Sequence, residues 1–177
     1  MSSRGLHIFV PSKCYHGYTL FCHSYEDPCQ SASGTGHIYL IDMEGRVAHE
    51  WTTHTAQQSF AHLLPNGHLI YPTRDRSRLE EAGLRALDPD SNVLWHYQCR
   101  IDHDFQVLDN GNLILHTIAD HIVPSLGKGL KRNPYILEIT PEFELVWERR
   151  GEEHIGELKH LLCYLFEVTP QGEVVWD

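Results

Sequence analysis

One short phrase occurs twice in this chain, and a second phrase interleaves with it. Leu64-Pro65-Asn66-Gly67-His68-Leu69-Ile70 returns as Leu108-Asp109-Asn110-Gly111-Asn112-Leu113-Ile114. Between and after these copies run Leu87-Asp88-Pro89-Asp90-Ser91-Asn92-Val93-Leu94-Trp95, Ile139 to Trp147, and Val168 to Trp176. Each phrase reads as strand, turn, strand. Asn-Gly between alternating apolar runs is the strongest short hairpin signal, and it predicts type I′ turns with both central residues at positive φ. The Trp-ended phrases place Trp six residues after the turn Pro. An even spacing keeps that ring on one face of its strand, where it packs between neighbouring sheets. Two hairpin types in alternation predict an all-β, radial architecture of four-stranded units, a β-propeller.

Laid along the chain, Trp hairpins fall near 38–51, 84–95, 135–147 and 164–176. Asn-Gly hairpins fall near 59–72 and 103–117. In the first Trp hairpin Val47-Ala-His-Glu-Trp51 stands where the others have Val-x-Trp, which predicts a hairpin two residues longer. Two short strands, 7–10 and 17–22, precede it, with a Ser/Gly/Asp/Pro-rich loop over 24–36. Ile155, Leu158, Leu161 and Leu162 have helical spacing, so one short helix is expected near 152–162. One Trp and one Asn-Gly hairpin make one four-stranded blade. Residues 1–177 therefore read as a single domain of about three blades with a further hairpin, a fragment or internally shortened chain relative to a closed ring of about four to eight.

Bulk properties narrow the function. A formal charge of −10 lacks the basic face a nucleic-acid binder needs. The cluster Lys128-Gly-Leu-Lys-Arg132 reads as a solvated loop. No apolar run approaches the length of a membrane span, and no signal peptide is legible at the start, so a cytoplasmic location is expected. The five cysteines are irregularly spaced and fit reduced thiols, although Cys14, Cys22 and Cys29 leave room for one bridge. No phosphate-binding glycine loop, dinucleotide fingerprint or serine-hydrolase elbow occurs, and no cofactor is called for. His116 and His121 with Asp120 between them do not match an established zinc spacing, so no metal is expected.

Gly17-Tyr-Thr-Leu-Phe21, Tyr39 to Trp51, Ala61-His-Leu-Leu-Pro-Asn-Gly67, His103 to Leu113 and Leu165 to Trp176 together resemble the bacterial arylsulfotransferase family. The resemblance covers most of residues 5–176. It implies a six-bladed propeller that moves a sulfuryl group from an aryl sulfate to a phenol through a sulfated histidine, without a nucleotide donor. Members are often exported. The family also implies a further Asn-Gly hairpin between Arg150 and Tyr164, where this chain has none. A binding or scaffold propeller without chemistry is therefore the alternative reading.

Fourteen histidines supply candidates for the nucleophile. A neutral imidazole attacks through one nitrogen when the other is held as a donor by a carboxylate or a carbonyl. His103, at the entry of an Asn-Gly hairpin and beside Asp104, is the first choice. Asp104 follows it directly on a strand and so points to the opposite face. His62 and His116 lie on other strands of the same hairpin type. When the Asn-Gly turns are aligned, His62 takes the slot of Gln106. Arg74 is the candidate cation for the sulfonate oxygens, and Asp104 the second substrate-binding candidate. The expected partners are a small aryl sulfate and a phenol, with no nucleic acid and a homo-oligomer allowed by the open sheet edges.

Overall fold

A computed structural model describes residues 8–22, 36–55, 57–73 and 79–154, together with the backbone of 167–168 and 174–175. Within them the chain is all-β. The strands are β1 (Tyr18–Cys22), β2 (Gly36–Asp42), β3 (Val47–Thr53), β4 (His62–Leu63), β5 (Leu69–Thr73), β6 (Gly83–Leu87) and β7 (Val93–Gln98). They continue as β8 (Ile101–Val107), β9 (Leu113–Ile122), β10 (Leu130–Ile139), β11 (Leu145–Arg150), β12 (Glu167–Val168) and β13 (Val174–Val175). The sheet orders are β1-β2-β3, β4-β5-β6-β7, β8-β9-β10-β11 and the ribbon β12-β13, each following chain order with antiparallel neighbours. Each four-stranded sheet is one Asn-Gly hairpin followed by one Trp hairpin, as the phrases require. Among the described residues no helix is long and apolar enough to cross a membrane.

The middle sheet is buried on both faces, and β5 and β6 carry only buried residues. Alternation along the strand sends Leu69, Tyr71 and Leu87 toward the first sheet, where they meet Ile38 and Trp51. Ile70, Leu84 and Ala86 turn the other way and meet Ile101, Phe105, Leu113, Leu115 and Ile139 of the third sheet. The three sheets are thus stacked face to face in chain order. Phe60, just before β4, stacks on Phe105 of β8 with ring centroids 5.1 Å apart.

All five described hairpin turns share one geometry. The first turn residue donates its N–H to the carbonyl four residues on and accepts from the N–H three residues on, at Asp42, Leu64, Asp88, Leu108 and Thr140. The fourth residue of each lies at positive φ: Gly45 (79°), Gly67 (85°), Ser91 (70°), Gly111 (86°) and Phe143 (68°). This is a type I turn closed by a G1 bulge, not the type I′ turn expected, because Asn66 and Asn110 keep negative φ. In the Asn-Gly turns the Asn66 and Asn110 carboxamides accept the N–H of His68 and Asn112. In the Trp hairpins Asp42, Asp88 and Thr140 do the same two turn positions earlier for Arg46, Asn92 and Glu144. The two phrases are two chemical ways of closing one turn.

Four further expectations are corrected. The first Trp hairpin is not longer: His49, opposite Leu40 and next to the register shift, occupies the slot of Trp95 and Trp147. Trp51 lies two residues on, on the same face, buried to 2% exposure and in edge contact with His49 at 4.3 Å. Ile8 to Val10 form no strand, since the chain bends into a 3-10 turn at Pro11–Lys13. Lys131 and Arg132 belong to β10 rather than a loop, because Leu130 to Ile139 pair along the whole of β9. At 151–154 the chain makes a 3-10 turn, Gly151–His154, and the rest of the expected helix lies outside the described residues.

Cys14, Cys22 and Cys99 are free thiols, while Cys29 and Cys163 lie outside the described residues. Burial against the second and third sheets pushes the Cys99 thiol up to about 12. Only roughly one part in ten thousand would be thiolate at pH 8, and thiolate is the reactive form. Cys99 is therefore expected to resist iodoacetamide in the folded protein and to react fully in urea. Peptide mass mapping of the alkylated chain checks this, and rapid labelling in native buffer would contradict the packing.

Candidate functional site

The most unusual backbone in the described chain lies at the first strand of the third sheet. Ile101 and Phe105 both point into the core and pair with Thr117 and Leu115, so four residues on β8 oppose two on β9. A regular strand would have buried the residue midway between them. Instead Asp102-His103-Asp104 bulge outward, with His103 at φ 72° and its side chain 69% exposed. Three consecutive polar residues cannot enter an apolar junction without losing their hydration, so the strand yields. The Ser59 hydroxyl donates to the His103 carbonyl and ties the bulge to the neighbouring sheet. A non-glycine residue at positive φ costs on the order of 1 kcal/mol and persists where surroundings hold it.

The bulge brings two histidines to one aspartate. The Asp102 carboxylate faces His103, Oδ1 to Nε2 at 3.7 Å, too long for a hydrogen bond. Its backbone carbonyl lies 2.9 Å from Nδ1 of His116 on β9. A carbonyl only accepts, so Nδ1 carries the proton there, and in the neutral form of the ring the lone pair is on Nε2. His116 lines a shallow cleft of about 410 Å3 with Asp104, Phe105, Gln106, Ile114 and Ile136. That arrangement suits attack by Nε2 on an electrophile held against an aliphatic floor, with a carboxylate at the rim to move a proton.

The five residues expected from the sequence therefore separate. His116 and Asp104 share the cleft. His103 stands on the bulge beside Asp102, exposed. His62 pairs across from Ile70 in the second sheet, and among the described residues no hydrogen bond or ion pair joins it to His103 or His116. Gln106 pairs across from Ile114, so His62 and Gln106 are repeat equivalents. Arg74 lies outside the described residues. Asp102 and Ser59 went unread in the sequence. The available signal was three polar residues in a row between two core positions of a strand, which marks a bulge.

A second polar group sits at the far ends of β9 and β10. His121 Nε2 is 3.3 Å from Glu152 Oε1, and the Tyr135 hydroxyl lies 3.5 Å from His121 Nδ1 and 3.4 Å from Glu152. Arg150 lies over the Tyr135 ring. Asp120 is bound by Arg100 at 3.0 Å and Arg132 at 3.4 Å, and the Arg100 hydrogen bond holds its carboxyl below the ordinary aspartate value. His116, Asp120 and His121 are thus each engaged elsewhere. Among the described residues no three His, Cys, Asp or Glu side chains are grouped to hold a metal. No protein-family model matches this chain and no curated protein matches it, so the chemistry of the site rests on its own geometry.

Proposed function

We propose that the stacked sheets are consecutive blades of a β-propeller, and that the cleft at His116 carries sulfuryl transfer from an aryl sulfate to a phenol. The observation that carries this reading is the hydrogen bond that makes Nδ1 of His116, a residue lining the cleft, the donor to the Asp102 carbonyl. Nε2 attacks sulfur while the bond from sulfur to the aryl oxygen breaks, and the phenolate leaves with the bonding pair. In the second half, an acceptor phenol attacks the same sulfur, the N–S bond breaks, and the imidazole recovers its lone pair. Asp104 takes the acceptor's proton as it attacks and hands it to solvent, which in turn protonates the phenolate released in the first half. Phenol, with a pKa of about 10, is a fair leaving group, so modest proton donation suffices. This assignment moves the nucleophile from His103, which has no hydrogen-bonded orienting partner among the described residues, to His116.

The alternative is a propeller that binds a partner without chemistry. It is favoured by the lining of the cleft, which among the described residues includes the Asp104 carboxylate and no cation. One experiment separates them. The chain is incubated with a chromogenic aryl sulfate and a phenol acceptor, and quenched samples are mapped by mass spectrometry. Sulfuryl transfer predicts release of the chromogenic phenol and a gain of one SO3 on the peptide containing His116. The His116→Ala variant is expected to lose turnover by at least about 10²-fold, on the scale of losing an essential group. No phenol release and no sulfated histidine in the unsubstituted protein would leave the binding reading.

A further inference from the structure

Two backbone carbonyls of the β8 bulge are each held by a side chain from elsewhere in the fold. Between the pairs Ile101–Thr117 and Phe105–Leu115, β8 has three residues where β9 has one, His116. Residues in excess of a ladder lose their cross-strand partners, and their backbone polar groups then turn to side chains. The Asp102 carbonyl meets Nδ1 of His116 at 2.9 Å, and the His103 carbonyl accepts from the Ser59 hydroxyl. These two carbonyls belong to neighbouring peptide planes. Each plane is rigid, so only φ and ψ of His103 lie between them.

Ser59 is delivered from the second sheet. Gln57 bridges Thr73 of β5, the Gln58 N–H donates to the Pro72 carbonyl at 2.9 Å, and Phe60 stacks on Phe105. The hydroxyl is thus anchored on both sides, in a segment that is not part of the bulge. His103 needs such an anchor. Its φ of 72° is disfavoured for a residue with a Cβ, and an unheld backbone would return to negative φ. That return rotates the peptide plane between Asp102 and His103 and swings the Asp102 carbonyl off the His116 ring.

We infer that Ser59 is a positioning residue for His116 and acts through the His103 backbone. Its hydrogen bond keeps the Asp102 carbonyl where it selects the Nδ1–H tautomer of His116. The tautomer matters because the lone pair of a neutral imidazole sits on the other nitrogen. A histidine side chain free in water favours Nε2–H, so loss of the hold moves the lone pair to Nδ1. The hold stands on hydrogen bonds and backbone geometry. Its consequence for turnover rests on the sulfuryl transfer proposed above.

The test is long-range proton–nitrogen NMR of the histidine side chains in the full chain, labelled with nitrogen-15 and read at alkaline pH. The His116 signals are identified by their loss in His116→Ala. The unsubstituted protein should show His116 as Nδ1–H. Ser59→Ala should move the ratio of the two tautomers toward Nε2–H by about 2- to 10-fold, the range set by one net hydrogen bond. Ser59→Thr should keep the parent tautomer. Ser59→Val, of nearly the same shape as Thr but without the hydroxyl, should not, which separates the hydrogen bond from packing. Should Ser59→Ala fail to fold, the Thr and Val variants carry the comparison. A His116 that stays Nδ1–H without the Ser59 hydroxyl overturns the inference, as does an Nε2–H ring in the unsubstituted protein. Turnover of an aryl sulfate should fall in Ser59→Ala by the factor by which the Nδ1–H fraction falls, with KM nearly unchanged. A tautomer that moves in a protein without sulfuryl transfer keeps the hold and removes the chemistry. Transfer with an unmoved tautomer does the reverse.

Discussion

Gly83→Ala is expected to unfold much of this protein. Gly83 opens β6 at φ 148°, a region closed to residues with a Cβ. It is paired with Thr73 on one side and Gln98 on the other, so it cannot move aside without breaking two ladders. A Cβ built there overlaps the Tyr97 carbonyl and comes within 3.0 Å of His96 Nε2. Backbone strain and overpacking together are worth about 3–5 kcal/mol. That is a large part of the roughly 5–15 kcal/mol that holds a domain of this size. Urea denaturation should show a midpoint shifted sharply down at nearly constant slope. A midpoint unchanged from the parent would mean that the β5-β6-β7 register is wrong.

The second large loss is expected at Leu115→Ala. Leu115 is fully buried on β9 and belongs to the cluster joining the second and third sheets through Ile70, Leu84 and Phe105. Truncation removes the transfer energy of the lost carbons and leaves a cavity walled by paired strands that cannot collapse into it, at about 2–5 kcal/mol. Ile114→Ala, one residue away on the open face beside His116, should cost much less. The contrast is the informative result, since it measures the sidedness of β9. Equal losses would mean that both faces of the third sheet are covered in solution.

Much of the strand order was legible because hairpins are local. Turn residues and alternating apolar positions sit within a few residues of one another, so the two kinds of hairpin marked twelve of the thirteen described strands. Their exact turn type was not legible. Asn-Gly serves both type I′ turns and type I turns with a G1 bulge, and the latter also accommodates Pro65 at its first central position. The place of His49 was missed for a related reason. Counting back from Trp51 aligned the two tryptophans by name, whereas the register shift beside Leu40 aligns by hydrogen bonding and puts His49 in the slot.

The candidate site divides along the same line. Residue type marked His103, Asp104 and His116 as chemically able, since an imidazole and a carboxylate in or beside a strand are visible in one dimension. Which of them is oriented depended on the bulge, and the bulge depended on Ile101 and Phe105 both reaching a core built by another sheet. The hairpins, their turns and their alternation were written locally in the sequence, because each needs only neighbouring residues. The stacking of the sheets, the outward turn of His103 and the hold of Asp102 on His116 were decided in the folded molecule, because they rest on contacts between residues distant in the chain.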